Sequence, residues 1–144
     1  MKKLALLIIM ATVIFTSCDK KEKSDNPLLN EFDTPFGVPP FEQIKPEHYK
    51  PAYLKAFEEQ NAVIRKIVTS KEETTFENTI KELEYSSELL TKVSRIFAAL
   101  NSAHTNDPLH AINLEIAPLL SKHRDDINLN DTLFLRIKSV FENM

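Results

Sequence analysis

Residues 74–102, TTFENTIKELEYSSELLTKVSRIFAALNS, decide the fold class of this 144-residue chain. Their apolar residues recur at steps of three, four or seven, which places them on one face of an α-helix. Thr74 or Thr75 can cap its start, because a threonine hydroxyl accepts a hydrogen bond from a free backbone amide. We therefore predict one long amphipathic helix over about residues 76–101, with this apolar face: Phe76, Ile80, Leu83, Leu90, Val93, Phe97 and Leu100.

The neighbouring segments show the same periodicity. A first helix is predicted from about Pro51 to Thr69. A third is predicted from Asp107, whose carboxylate can accept from free amides, while Pro108 fits the first turn. Pro118 lies well inside this third helix and removes one backbone hydrogen bond, so we expect it to bend or divide the helix.

A last helix is predicted in residues 130–144, NDTLFLRIKSVFENM. Asn130 or Asp131 can cap it. No segment of the chain shows the sustained alternation of a half-buried strand, so we predict an all-α fold of antiparallel helical hairpins. The apolar face of the last helix is predicted to hold Leu133, Phe134, Ile137, Val140 and Phe141.

Residues 34–53, TPFGVPPFEQIKPEHYKPAY, contain five of the eight prolines and the only glycine. The prolines favour an extended path with few backbone hydrogen bonds. We expect Phe36 and Phe41 to pack as anchors, with a turn at Gly37 between them. A short helical turn is expected to begin at Pro46 and to contain His48. This segment is interpreted as the connection into the first helix.

Composition excludes several classes of function. The net charge of −3 provides no broad basic surface, so nucleic acid is not an expected partner. The single glycine rules out both G-x-G-x-x-G and the Walker loop, so a nucleotide bound in either way is not expected. With 42% hydrophobic and 27% charged residues, the chain has the composition of a folded domain.

The first residues resemble a bacterial lipoprotein signal. Lys2 and Lys3 precede an apolar run at residues 4–15, interrupted by Thr12, that is shorter than the roughly 20 residues needed to span a bilayer. FTSC at residues 15–18 resembles a lipobox, with phenylalanine where that motif prefers an aliphatic residue. Its cysteine, Cys18, is the only one in the chain.

We therefore predict a signal peptide at residues 1–17, lipid attachment at Cys18, a flexible polar tether at residues 18–26 and a helical region at residues 27–144. The alternative is an ordinary secreted protein with a free cysteine. Lipid attachment would place the protein at a membrane of the bacterial cell envelope, facing the periplasm or the outside.

The sequence contains no recognisable catalytic or metal-binding motif. H-E-x-x-H is absent, and His48, His104, His110 and His123 are interpreted as surface or helix-end residues rather than metal ligands. Adjacent acids such as Asp125 and Asp126 diverge on a helix and are interpreted as solvated. No catalytic residue and no metal ligand is predicted in this chain.

Four runs occur in order along the chain: NPLLNEFDTPFGVPPFEQIKPEHYKPAY, TFENTIKELEYSSELL, LNSAHTND and EIAPLLSKHRDDINLND. Together they resemble the amino-terminal region of the thimet-oligopeptidase-like zinc metallopeptidases. The resemblance is to the peptidyl-dipeptidase branch, also called dipeptidyl carboxypeptidase. It covers about residues 26–142, and it depends on the order of the four runs rather than on any single motif.

The resemblance implies an all-helical, ellipsoidal enzyme with a deep channel and one zinc, held by H-E-x-x-H and a further glutamate. Such an enzyme takes oligopeptides as substrates and releases dipeptides from their carboxyl end, with water activated by the zinc. The family places these residues several hundred positions further on. We therefore expect this chain by itself to bind no catalytic zinc and to hydrolyse no peptide.

Three interpretations of the chain follow. The first is a fragment, or partial gene product, of such a peptidase, because its apolar helix faces would be exposed without later helices. The second is a free-standing helical lipoprotein that binds a peptide or a protein partner. The third is an anchored helical bundle of unrelated ancestry, which the ordered matches disfavour.

Overall fold

The computed structural model describes residues 23–103 and 106–143. Cys18, the predicted signal peptide and His104 lie outside the described residues. Within those ranges the structure is helical and contains no strand, which confirms the predicted all-α fold. The helices are α1 (Tyr49–Thr69), α2 (Glu82–Tyr85), α3 (Glu88–Ala103), α4 (Asp107–Asn128) and α5 (Asp131–Glu142), with 3₁₀ turns at Pro27–Leu29, Pro35–Gly37 and Pro46–His48 and a π-helical segment at Phe76–Lys81.

Helix α1 lies at the centre of the fold. It packs against α2, α3, α4 and α5. Its apolar stripe is buried against the other helices through Tyr53, Phe57, Ile64 and Ile67. The helix begins at Tyr49, one turn after Pro46, because the Pro46–His48 turn continues directly into it.

The contacts between the helices give their relative directions. Tyr49 at the start of α1 packs on Phe97 near the end of α3, whereas Lys66 near the end of α1 pairs with Glu82 at the start of α2. The chain from α2 to α3 therefore runs antiparallel to α1. Helix α4 returns parallel to α1, as the Lys50–Glu115 and Gln60–His123 contacts show. Helix α5 follows after a short turn and packs against the end of α1 and against the π-helical segment.

The predicted long second helix is interrupted, which corrects the prediction of one continuous helix over residues 76–101. The break falls at Ser86 and Ser87, between α2 and α3. Ser86 Oγ donates to the Leu83 carbonyl at 2.6 Å and Ser87 Oγ donates to the Glu84 carbonyl at 2.9 Å. Serine hydroxyls that bond backbone carbonyls in this way compete with the regular helical ladder, so the helix breaks here.

The start of this segment is capped as predicted. Thr75 Oγ1 accepts a hydrogen bond from the Asn78 amide at 3.1 Å, and Asn78 Oδ1 accepts one from the Thr75 amide at 2.9 Å. The apolar face is less continuous than predicted, because Phe76 is exposed while Val93 and Phe97 are buried. The break at Ser86 and Ser87 divides the predicted stripe between two apolar clusters.

Helix α4 differs from the prediction in its cap and in the effect of its proline. Asn106, rather than Asp107, caps the helix, since Asn106 Oδ1 accepts from the Leu109 amide at 3.0 Å. Pro118 does not divide the helix, which continues from Asp107 to Asn128. Pro118 is exposed on the helix surface, where its ring displaces no packed neighbour.

Helix α5 is capped by Asn130, whose Oδ1 accepts from the Leu133 amide at 2.9 Å. Only part of its predicted apolar face is buried. Leu133 and Val140 are enclosed, but Phe134 is 62% exposed and Phe141 is 76% exposed. The helix therefore presents aromatic surface to solvent.

Residues 24–48, here called the strap, cover one end of the bundle. The expected anchors Phe36 and Phe41 are exposed, which corrects the prediction; the buried anchors are Leu28 and Ile44. Phe36 and Gly37 both have positive φ, 60° and 66°, and this left-handed turn directs the Phe36 ring into solvent.

Polar contacts fix the strap to the helices. Asn26 Nδ2 donates to the His48 carbonyl at 2.8 Å, and Lys92 Nζ of α3 donates to the Asn30 carbonyl at 3.0 Å. Lys92 also lies over the Phe32 ring, 5.0 Å from its centroid. The division of the chain at residue 26 into tether and helical region stays a prediction.

Two apolar clusters form the core. The larger lies around the first half of α1 and includes Tyr53, Val93 and Ile116; the smaller lies at its other end and includes Ile67 and Leu133. Among the described residues, no helix combines the length and the apolar character that crossing a membrane would require.

Candidate functional site

A cavity of about 450 Å³ opens between α1, α3 and α4, where one apolar cluster meets the other. Leu90 of α3 and Leu120 and Ile127 of α4 form its apolar wall. Thr91 and Ser94 add hydroxyl groups to the wall on the α3 side. A cavity of this size and mixed lining is suited to a small organic molecule.

Gln60 of α1 and His123 of α4 provide the buried polar part of this wall. His123 Nε2 donates to Gln60 Oε1 at 2.8 Å, and the imidazole stacks on the Phe57 ring with a centroid separation of 4.4 Å. His123 is only 6% exposed, so the interpretation of this histidine as a surface or helix-end residue is wrong. It is a hydrogen-bonded core residue.

Burial lowers the pKa of the His123 imidazole below its ordinary value of 6.5, and the Asp126 carboxylate opposes this effect. The imidazole is therefore neutral near pH 7, with its Nε2 proton directed at Gln60. A neutral imidazole in a half-apolar wall can position a ligand through hydrogen bonding without adding charge.

Two arginines stand at the cavity, Arg95 from α3 and Arg124 from α4. Both are exposed. Within residues 23–103 and 106–143, no carboxylate oxygen lies within 4.0 Å of either guanidinium group. No acidic residue from that part of the chain lines the cavity. The site is therefore positively charged.

An aromatic group supports the cavity from α1. Tyr53 hydrogen-bonds Ser94, one of the cavity hydroxyls, and packs edge-on against Phe97 with centroids 6.1 Å apart. Burial raises the pKa of the Tyr53 hydroxyl, and the hydrogen bond with Ser94 opposes that rise.

The histidines do not assemble a metal centre in the part of the chain that the structure describes, which contains no group of three or more metal-ligating side chains. His48 lies in the predicted turn, where its Nδ1 accepts from the Lys45 amide at 3.1 Å, and His110 is exposed. His123 uses Nε2 to bond Gln60. The donor sets at these residues do not fit a catalytic zinc. The acidic pair Asp125 and Asp126 is solvated, as predicted.

Periodicity alone does not reveal the hydrogen-bonded pair of Gln60 and His123, but the sequence does contain a signal for it. Gln60 continues the buried stripe of α1, four residues before Ile64, and His123 continues the stripe of α4, four residues before Ile127. A polar residue within an apolar stripe must find a buried partner. The two residues could therefore have been proposed as a pair. No pattern in the sequence predicts that Arg95 and Arg124 line the same cavity.

The comparisons with known proteins identify bacterial peptidases. Dipeptidyl carboxypeptidase of Escherichia coli strain K12 is 38% identical over 117 residues, which are 81% of this chain and 17% of that enzyme. The Salmonella typhimurium enzyme of that name is 36% identical over 119 residues, 83% of this chain and 18% of the enzyme. The chain is homologous to these peptidases.

Oligopeptidase A of Escherichia coli strain K12 is also similar, 30% identical over 109 residues, which are 76% of this chain and 15% of that protein. No protein-family model matches the chain. The chain thus spans less than a fifth of the length of the relatives that it matches. The predicted relationship to dipeptidyl carboxypeptidase is confirmed at this level, whereas the lipoprotein signal stays a prediction.

Proposed function

We propose that this chain is the amino-terminal helical region of a zinc metallopeptidase that releases dipeptides from the carboxyl end of oligopeptides. The observation that carries the proposal is the 38% identity to dipeptidyl carboxypeptidase over 81% of the chain. The all-α fold, and the exposed aromatic residues of α5 that a larger helical body could cover, also support it.

In this proposal the chain contributes structure rather than catalytic groups. The zinc and the residues that bind it belong to other parts of the larger enzyme, because the histidines described above do not fit a zinc site. The chain by itself is therefore expected to bind less than one equivalent of zinc and to release no dipeptide. Stoichiometric zinc together with chelator-sensitive release of dipeptides would contradict this.

A chimera tests the proposed role. Residues 26–142 of this chain replace the matching segment of the Escherichia coli dipeptidyl carboxypeptidase, and dipeptide release is measured on a blocked tripeptide with a free carboxyl end. We expect chelator-sensitive release, and none from the same tripeptide carrying a carboxyl amide. A chimera that folds and binds zinc but releases no dipeptide would overturn the proposal.

Two control chimeras test whether dipeptide release depends on the folded segment. A chimera carrying Val93→Asp places a charge in the fully buried core of the segment and is expected to lose both folding and activity. A chimera carrying Arg65→Gln changes an exposed residue and should remain active. Reading the coding DNA beyond codon 144 gives an independent test: an H-E-x-x-H in frame or after one frameshift supports the fragment, and a clean intergenic region supports the free-standing lipoprotein.

We also propose that Cys18 carries a lipid that places the protein at the cell envelope, where oligopeptides are the substrates of the larger enzyme. The FTSC sequence at residues 15–18 is what supports this. Cys18→Ala should move the protein from the membrane fraction to the soluble fraction after cell lysis. Cys18→Ala protein that stays in the membrane fraction would refute lipid attachment.

A further inference from the structure

The cavity between α1, α3 and α4 combines two chemical features that together specify a class of ligand. Arg95 and Arg124 bring two positive charges to it from different helices, and neither is neutralised by a carboxylate of the described residues. The Asp126 carboxylate acts on His123 in the wall, and it pairs with Lys122 at 2.6 Å. An anion at this cavity therefore meets two guanidinium groups, and the acid that acts on the wall already pairs with a lysine.

The remaining wall favours an apolar group. Leu90 of α3 and Leu120 and Ile127 of α4 line the cavity, and burial of apolar surface against them gains about 25 cal/mol per Å². The volume of about 450 Å³ accommodates a branched aliphatic group together with its polar end. Ser94 and Thr91 supply hydroxyl groups beside the guanidinium groups.

We propose that this cavity binds a small organic carboxylate that carries a branched apolar group. The carboxylate lies between Arg95 and Arg124, because a guanidinium group donates two parallel hydrogen bonds to a carboxylate. The apolar group lies against Leu120 and Ile127. A free carboxylic acid and the carboxyl end of a peptide share this chemistry, and binding is measured on this chain without reference to peptidase activity.

The ligand class is tested by titrating three probes into the purified 144-residue chain. Binding is followed by NMR through the backbone amide signals of the protein. The probes are 4-methylpentanoate as a free acid, N-acetyl-leucine as a peptide carboxyl end and N-acetyl-leucinamide as the uncharged equivalent. We expect both carboxylates to shift the signals of Ser94 and His123. The amide should bind at least about tenfold more weakly, because it lacks the charge-assisted hydrogen bonds.

Variants locate the binding. Arg95→Gln and Arg124→Gln should each weaken carboxylate binding about tenfold and leave the weak binding of the amide unchanged. Arg65→Gln is the matched control, since Arg65 is exposed on α1 and does not line the cavity. All three positions are exposed, and the amide spectra verify that each variant is folded.

Each outcome decides the proposal. N-acetyl-leucine binding more tightly than 4-methylpentanoate identifies the carboxyl end of a peptide as the ligand, and the reverse order identifies a free acid. The proposal is overturned if neither carboxylate binds, if the amide binds equally well, or if Arg65→Gln weakens binding as much as the cavity variants do. Signal shifts confined to residues outside the cavity would overturn it as well.

Discussion

At the scale of single residues, the Gln60–His123 pair is the feature with the largest consequence. Both side chains occupy buried positions where the neighbouring turns carry isoleucine or phenylalanine. Their mutual hydrogen bond of 2.8 Å satisfies one polar atom of each. The pair is therefore stable only while the imidazole is neutral, since charging a buried group without a counter-charge is unfavourable.

Stability is expected to fall as the pH is lowered. Burial lowers the pKa of His123 in the folded state, so the unfolded chain takes up the proton first, and stability is lost as the pH falls below about 6.5. His123→Gln should flatten the dependence of the free energy of unfolding on pH between pH 7 and pH 5, measured by urea denaturation. His110→Gln, at an exposed position, is the control; an unchanged slope in His123→Gln would contradict the expectation.

A buried hydroxyl gives a second expectation. The Tyr49 side chain is 1% exposed, its hydroxyl has no hydrogen-bond partner among the described residues, and burial, aided by Tyr53, raises its pKa to about 12. Tyr49→Phe keeps the ring contact with Phe97 and removes the unpaired group, so the free energy of unfolding should rise by about 1 kcal/mol. Chemical denaturation measures this change in the free energy of unfolding.

Tyr53→Phe is the matched comparison. The Tyr53 hydroxyl is hydrogen-bonded to Ser94, so its removal should lower the free energy of unfolding by about 1 kcal/mol rather than raise it. If both substitutions changed the free energy of unfolding equally, the Tyr49 hydroxyl would have to be hydrogen-bonded in solution.

At the scale of helices, the proline within α4 is unusual. Pro118 lacks the backbone N–H that would donate to a carbonyl of the preceding turn, yet the helix continues on both sides of it. The helix is held by the packing of Ile116 and Leu109 in the larger cluster and by the Asn106 cap. Tertiary packing has overridden a local preference here.

Pro118→Ala is expected to stabilise the protein. The substitution restores a helical amide at an exposed position, and the free energy of unfolding should rise by about 2 kcal/mol in thermal or urea denaturation. Pro108→Ala is the control, because Pro108 lies in the first turn of α4, where the amide has no helical partner, and should have little effect. Destabilisation by Pro118→Ala would indicate that the proline ring is packed.

The helices and their caps could be predicted from the sequence, because apolar period and capping chemistry are local. The interruption at Ser86 and Ser87 could not, since serine is common within helices and its hydroxyl bonds become visible only in three dimensions. The exposure of Phe36 could not be predicted for a similar reason: its positive φ, not its hydrophobicity, determines where the ring points. The cavity depends on the register between α3 and α4, which no single segment determines.

At the scale of the whole molecule, one face of the bundle is apolar and uncovered. Helix α5 and the turn before it expose several large side chains. Exposed apolar surface of this kind favours self-association or packing against another body. The residues concerned are Leu129, Phe134, Leu135 and Phe141.

Replacing the two aromatic residues should reduce self-association of the isolated chain. Phe134→Ser combined with Phe141→Ser removes exposed rings, so sedimentation should show less concentration-dependent association, with the free energy of unfolding changed by no more than about 0.5 kcal/mol. Val140→Ser on the same helix is the control, since Val140 is buried and its loss should destabilise the fold. Association that persists in the double variant would place the contact elsewhere.

The central position of α1 has a consequence for how the protein is made. Every other helix packs against α1, but α1 is synthesised before all of them. At translation rates of roughly 5–20 residues per second, its apolar stripe waits on the order of seconds until α3 has been synthesised. During that interval the nascent chain offers Tyr53 and Phe57, which are buried in the finished fold, only the strap and none of their partners from α3 and α4. Ribosome-associated chaperones that recognise apolar segments are therefore expected to meet this helix before the later ones.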